Sequence, residues 1–463
     1  MTVHYISTRG SAAALSFEEV VLAGLASDGG LFVPEHIPTF DATRIAAMAS
    51  LPYAQLAYEI MAPFVDGLAP ETLKSIIDDA YKSFRHPDIA PLKTLDERTH
   101  ILELFHGPTL AFKDFALQFL GRLLDHILTK RKQHAVIVGA TSGDTGSAAI
   151  AGCRGRAGMD IFILHPKGRV SDVQRRQMTT VLDANVHNIA LTGTFDDCQD
   201  VVKALFNDKE FRAAHRLTAV NSINWARILA QVVYYFYAAL KLSAPKRAVD
   251  FCVPTGNFGD IYAGYIAKKM GLPIGTLIIA TNRNDILART LATGTYGMEG
   301  VVPTLSPSMD IQISSNFERL LFDLYRQDSG NITALMADLR NKKQFTLSAE
   351  ALAAFRADFA AGSADDAETK RAIADVHQRY GELLDPHTAV GYAVGAKYPT
   401  GKNPLVILAT AHPAKFPDAV KDATGITPAL PPHMADLLQK PERFDVLENN
   451  AAAVKSYMAS RLA

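Results

Sequence analysis

The stretch 106–121 reads His-Gly-Pro-Thr-Leu-Ala-Phe-Lys-Asp-Phe-Ala-Leu-Gln-Phe-Leu-Gly, and it sets a single lysine, Lys113, near the start of an apolar helix. Phe112 and Phe115 flank that lysine. Partial desolvation penalises the ammonium form and lowers its pKa. A neutral amine is what condensation with a carbonyl cofactor requires. A lysine at a helix start also commonly lays its stem on the core and keeps its head in water, and taken alone the stretch fits that reading better.

Three more segments carry groups suited to an anionic ligand. After the apolar run 135–138 comes Gly139-Ala140-Thr141-Ser142-Gly143-Asp144-Thr145-Gly146-Ser147, opening a small-residue helix over 148–152. Free N–H groups and hydroxyls at a helix N-terminus cradle anions, and an α-carboxylate suits this one. The turn lacks the lysine and spacing of a P-loop. A plain corner whose Ser and Asp cap the helix weighs equally on this segment. After the run 250–253 comes Pro254-Thr255-Gly256-Asn257-Phe258-Gly259-Asp260, leading into a helix that ends near Met270. It suits a phosphate dianion bound without a lysine, although such turns are common. After the run 405–409, Thr410-Ala411-His412-Pro413-Ala414-Lys415-Phe416 puts a hydroxyl at a strand's end.

From about residue 95 the apolar runs 135–138, 160–164, 187–191, 250–253, 276–280 and 405–409 alternate with helical patterns. That alternation predicts parallel βαβ units with helices on both faces, and ligands at the carboxyl ends of the strands. Residues 1–90 read as mostly helical, with amphipathic stretches at 17–26 and 70–84. Between them, Ser27-Asp28-Gly29-Gly30-Leu31-Phe32-Val33-Pro34 reads as a hairpin or loop. Trp225 and the stripe Tyr234, Tyr235, Phe236 and Tyr237 are expected to pack a helix under the sheet. The segment 309–319 reads as a loop entering a helix with Asn316 near its cap. The alanine-rich, acidic segment 346–366 reads as a solvated helical insertion.

The chain's 463 residues suffice for two or three domains. Lys plus Arg number 47 against 48 Asp plus Glu, so no global field favours nucleic acid or an anionic membrane. Cys153, Cys198 and Cys252 are far apart, odd in number and without metal-ligand spacing, which fits a reducing compartment. The start has no basic flank before a long apolar run, so no secretory signal is visible. The stretch 231–242 is too short and tyrosine-rich to span a bilayer. The expectation is a soluble, cytoplasmic, enzyme-sized chain.

Together the lysine stretch and the three turns resemble those of threonine synthases, which belong to the tryptophan-synthase-β-like (fold type II) pyridoxal-phosphate enzymes. The likeness is to the longer bacterial and fungal form and runs over essentially the whole chain. It includes Ser7-Thr8-Arg9-Gly10 and Asp28-Gly29-Gly30-Leu31, the blocks Gly168-Arg169-Val170-Ser171 and Gln177-Met178-Thr179-Thr180, and Asn221-Ser222-Ile223-Asn224-Trp225-Ala226-Arg227. It implies an α/β fold of parallel and mixed sheets flanked by helices. It also implies an N-terminal family-type domain over 1–92 and a catalytic region over 93–463.

The resemblance maps the cofactor lysine onto Lys113. It maps the phosphate loop of pyridoxal 5'-phosphate onto Gly256, Asn257, Phe258, Gly259 and Asp260, and the hydroxyl facing the pyridine nitrogen onto Thr410. Thr141, Ser142, Gly143, Asp144 and Thr145 match the substrate-side loop, with Asp144 where shorter relatives often carry Asn. The implied reaction turns O-phospho-L-homoserine and water into L-threonine and phosphate, making the chain a carbon–oxygen lyase acting on a phosphate ester. Lys113 is implied as the group that takes and returns protons. A leaving dianion calls for charge-assisted donors, and Arg169 and Arg227 are candidates by motif, with Asn221 in the same block. For both arginines a packing salt bridge weighs as heavily. His106 and His412 are as suited to orienting neighbours as to moving protons. A serine or threonine dehydratase of the same cofactor fold remains an alternative, as does a binding protein that has lost turnover. The oligomeric state is left open.

Overall fold

Successive residues of the strand Leu405–Ala409 face two different cores. Val406 and Leu408 join the cluster that contains the helices Trp225–Lys241 and Gly259–Lys269, while Leu405, Ile407 and Ala409 join the one built with Asp366–Tyr380 and Pro386–Lys397. A parallel strand covered on both faces has no polar side to show, which is why it reads as an unbroken apolar run. This strand lies inside a six-stranded sheet ordered Phe359–Ser363, Ile274–Thr281, Val249–Pro254, Leu405–Ala409, Thr99–Glu103, Leu92–Thr94. Only Leu92–Thr94 runs antiparallel to its neighbour.

The computed structural model describes residues 3–398 and 401–462. A second, all-parallel sheet has the order Asp445–Glu448, Val186–Thr192, Met159–Pro166, Ala135–Ala140, Leu217–Thr218. The expected α/β fold is therefore present, divided over two sheets. The helix Lys113–Lys130 packs against Asp144–Cys153, Trp225–Lys241 and Pro70–Tyr81. Its closest approach is made by glycines: a Cβ on Gly121 would lie 2.2 Å from the Gly152 carbonyl oxygen, and one on Gly152 would lie 2.3 Å from that of Leu117. The two helices touch backbone to backbone there.

The N-terminal part is mostly helical, as read, with helices Phe17–Ala23, Ala42–Ala47, Tyr53–Met61 and Pro70–Tyr81. The glycine turn feeds the strand Phe32–Pro34, which pairs antiparallel with Tyr5–Ser7. Asp28 fixes that turn by accepting from Gly30 N at 2.9 Å and Ser7 Oγ at 2.7 Å. Trp225 and the tyrosine stripe lie on a helix buried along almost its whole length, and Asn316 occupies the N-cap position of Phe317–Leu324.

The segment 346–366 departs from the solvated helical insertion expected. Its helix Ala349–Asp358 does show a solvated face, but Phe359–Ser363 is the edge strand of the six-stranded sheet, parallel to Ile274–Thr281. Phe355 and Phe359 are buried and pack on each other, with ring centroids 5.2 Å apart. The small residues suit this edge: a Cβ on Gly362 would come within 2.9 Å of Val394. Among the described residues no helix is long and apolar enough to cross a membrane.

Candidate active site

Lys113 is brought to Thr410 by a short backbone bridge. Phe112 N donates to the Thr410 carbonyl at 2.9 Å, His412 N donates to the Leu110 carbonyl at 3.0 Å, and Ala111 and Ala411 form the bridge pair between them. Leu110 takes the left-handed conformation that ends the turn at Gly107-Pro108, with φ of 62°. Asp114 then ties the turn to the helix, accepting from Thr109 N at 2.8 Å and Thr109 Oγ1 at 2.7 Å. Burial pushes the Asp114 carboxyl up to about 6.

The Lys113 amine is buried and faces Asp144 from the other sheet, with Nζ 3.4 Å from Oδ2. Burial lowers the ammonium below its ordinary value; Asp144 opposes that, while Lys415 and Arg227 act with burial. The other Asp144 oxygen is taken by Lys415 Nζ at 2.7 Å and Gln174 Nε2 at 2.8 Å. Burial acts to raise the Asp144 carboxyl, but Lys415 and then Lys113 hold it well below the usual carboxylate range. In the same turn Thr141 Oγ1 accepts from Gly143 N and Gly146 N, each at 2.9 Å, so this hydroxyl shapes the loop. Ser142 and Thr145 are half-buried.

The Gly256–Asp260 turn is built from backbone. Among the described residues the N–H groups of Gly256, Asn257, Phe258 and Gly259 donate to no protein acceptor, and they lie at the N-terminus of Gly259–Lys269. Phe258 is left-handed, with φ of 63°. A Cβ on Gly256 would meet the Ser308 carbonyl oxygen at 2.8 Å. The Asp260 carboxyl points elsewhere: Tyr234 and Tyr235 hydroxyls donate to its Oδ1 at 2.6 and 2.9 Å, and burial pushes it up to about 6. Asn316 braces the turn by donating from N and Nδ2 to the Asn257 carbonyl, both at 3.0 Å. The N-terminal motif supports this brace through Arg9 and Thr8, which bind Glu318 at 3.0 and 2.7 Å.

Thr410 is buried at the end of its strand, and its N–H donates to Thr388 Oγ1 at 3.2 Å. Thr388 donates in turn to Asp385, which also binds His387 Nδ1 at 2.8 Å. Ser308 N donates to His387 Nε2 at 3.3 Å, which puts the imidazole proton on Nδ1, toward Asp385. Sequence reading missed this network, and also missed Lys415 and Gln174.

Arg227 is buried among the groups that act on Lys113, and burial lowers it to about 10. Among the described residues its Nε and the Asn221 Oδ1 are buried without partners, the first free to donate to a ligand and the second to accept from one. Arg169 is exposed and acts on Asp197, outside the Lys113 group. His106 pairs with Glu103 at 2.7 Å. His412 accepts from Ala414 N at 3.1 Å and is lowered to about 4 by burial and the nearby His106, so it is neutral near pH 7.

A buried amine beside surplus cationic charge, and four unpaired amides at a helix N-terminus, fit an aldehyde cofactor that carries a phosphate. Residues 91–338 match the family described as "Pyridoxal-phosphate dependent enzyme", which places the chain among enzymes that use that cofactor. Residues 4–81 match "Threonine synthase N terminus" and residues 388–458 match "Threonine synthase, C-terminal". The chain is 54% identical to threonine synthase of Pseudomonas aeruginosa over 460 residues, covering 99% of this chain and 98% of that one. It superposes on pyridoxal-phosphate-bound threonine synthase from Brucella melitensis with TM-score 0.98 at 53% identity, covering 99% of both chains. For the yeast enzyme the TM-score is 0.95 at 42% identity, covering 99% and 98%. The chain belongs to the threonine synthase family.

Proposed function

We propose that the chain converts O-phospho-L-homoserine and water into L-threonine and inorganic phosphate, acting in the cytoplasm as a carbon–oxygen lyase. The reading is carried by one observation: a buried lysine amine lies with two separate anion-suited sites, the Gly256–Gly259 amides and the unpartnered Nε of the Arg227 guanidinium. The reaction needs two phosphate sites, one for the cofactor and one for the leaving group.

Pyridoxal phosphate, attached through Lys113 at rest, supplies an electron sink for the substrate's α-carbon. The amides of residues 256–259, at the positive end of their helix, hold its phosphate. Thr410 would offer a neutral hydroxyl to the nitrogen of the bound ring, which a carboxylate there would instead keep protonated. The amides of Ser142, Asp144 and Thr145 and the hydroxyls of Ser142 and Thr145 hold the substrate carboxylate, on a loop that Thr141 and Gly143 shape. Lys113 Nζ, whose ammonium form burial disfavours, accepts the α-proton, later moves a β-proton, and returns a proton to the α-carbon. Arg227 grips the leaving phosphate, Asn221 can join only through its amide N–H, and Arg169 only if its loop turns inward.

The test is a paired assay of phosphate release from O-phospho-L-homoserine and keto-acid formation from threonine and serine. Phosphate release far exceeding deamination supports the proposal. Comparable keto-acid formation assigns the site to a dehydratase instead, and the absence of both reactions makes the chain a binding protein.

A further inference from the structure

Lys415 has no assigned part in the chemistry, yet its side chain is 0% exposed and pairs with Asp144, the carboxylate whose Oδ2 lies 3.4 Å from Lys113. It stands at the end of the turn Pro413–Lys415, beyond the strand that ends beside Thr410, whereas Asp144 follows a strand of the other sheet. The ion pair therefore crosses from one sheet to the other. A second contact, Lys415 Nζ to the Thr109 carbonyl at 2.7 Å, anchors the ammonium to the turn before Lys113.

We infer that Lys415 is a positioning residue for Lys113: by occupying one oxygen of Asp144 it leaves the second lysine facing a carboxylate already neutralised, so that Lys113 stands as a free amine. The distances favour that division. Asp144 Oδ1 receives Lys415 at 2.7 Å and Gln174 at 2.8 Å, whereas Oδ2 lies 3.4 Å from Lys113. Charge-assisted N–H···O bonds run to about 2.7–2.9 Å, so the tight partner of Asp144 is Lys415.

The other charged groups around Lys113 do not take over that role. Arg227, from the helix Trp225–Lys241, is a further cation. Asp260, from Gly259–Lys269, feels Lys113 but makes no ion pair with it: its Oδ1 takes Tyr234 and Tyr235, and burial pushes its carboxyl up to about 6. His387, from Pro386–Lys397, acts on Asp144 and is bound to Asp385. Asp114, next to Lys113, bonds to Thr109. Asp144 is thus the carboxylate that would hold a proton on Lys113, and Lys415 is the cation that prevents it.

The inference rests on the proposal that Lys113 moves protons, and its test reads Lys113 directly. The full-length chain, stripped of cofactor, is labelled with trace acetic anhydride across a pH series, and acetylation at Lys113 is quantified by mass spectrometry. Lys415→Gln keeps a hydrogen-bond donor but no charge, and it is expected to raise the Lys113 midpoint by about one pH unit, a tenfold loss of free amine at fixed pH. Lys415→Arg is expected to stay near the parent, and Asp144→Asn to lower the midpoint. The acid limb of kcat with O-phospho-L-homoserine, which reports the amine once substrate has released it, moves up with the midpoint in Lys415→Gln.

If Lys415→Gln does not fold, the double variant Lys415→Met with Asp144→Asn is compared with Asp144→Asn alone, and a higher midpoint in the double variant supports the inference. An unchanged midpoint in either comparison overturns it and leaves Lys415 a structural latch between the sheets. A shifted midpoint in a chain without phosphohomoserine turnover refutes the proposed activity and not this inference.

Discussion

Two turns in this chain share one construction, a parallel strand feeding a helix through glycines, and they bind charge by opposite means. The turn after Ala135–Ala140 works with side chains: Asp144 is held ionised between Lys113 and Lys415. The turn after Val249–Pro254 works with backbone: four amides stay unpaired, and the carboxyl of Asp260 is bound to two tyrosines and shifted upward. On the proposed function the same local unit serves as a reactive charge in one place and a fixed anion cradle in the other. What decides between them is whether distant elements supply a cation or a hydroxyl to the acid in the first helical turn.

The sharpest division is expected from the amine. Lys113→Ala should cut phosphate release from O-phospho-L-homoserine by at least ~10³-fold and abolish covalent cofactor attachment, read as loss of a borohydride-trapped adduct, while the chain stays folded. If turnover persists, proton transfer belongs to another group and the side-chain turn is not the reactive one.

Removing each turn's carboxylate should separate them next. Asp144→Ala strands Lys415 in the interior and should cost about 3–5 kcal/mol in urea unfolding. Asp260→Asn keeps an acceptor for both tyrosines and should cost far less. The pH dependences run in opposite directions. Asp260 has a folded value raised to about 6, so its contribution is present below the ordinary carboxylate value and lost as pH rises through about 6. Asp260→Asn should therefore gain on the parent between about pH 4 and 6. Asp144 is lowered, so its contribution is present above the ordinary value and lost as pH falls below it, and the penalty of Asp144→Asn should shrink in acid. Parallel pH slopes for the two variants would break the comparison.

Smaller effects test the cradle. Gly256→Ala puts a Cβ 2.8 Å from a backbone oxygen and should weaken cofactor binding by about 1–3 kcal/mol, measured by equilibrium dialysis. Thr410→Ala should cost about 1 kcal/mol of cofactor retention, since it removes one hydrogen bond and leaves both turns intact.

The strands that were legible in the sequence are those with continuous apolar runs, such as Leu405–Ala409, because burial on both faces leaves no other pattern. Phe359–Ser363 was not legible: alanine, glycine and serine carry no strand signal, and the segment becomes a strand because Ile274–Thr281 offers it an edge. Thr99–Glu103 was hidden by its polar ends, Thr99 and Glu103, around a short apolar centre. Within the site, Lys113 and the glycine turns stand out because their neighbours in sequence are also their neighbours in space. Lys415 meets Asp144 only across the fold, and nothing near either residue in the sequence announces the pair. Asp260 fits the cradle by motif, but its carboxyl is claimed by tyrosines that the sequence indicates only as packing.

The contact between Gly121 and Gly152 bears on how the cleft can move. With no side chains between the helices Lys113–Lys130 and Asp144–Cys153, their spacing is set by main-chain atoms that do not compress. The two elements therefore travel as one lever arm, and the amine keeps its distance from Asp144 through any hinge motion between the sheets. Lys415, anchored to the Thr109 carbonyl just before Lys113, is tied to the same arm, so the Asp144–Lys415 pair is held together with the amine.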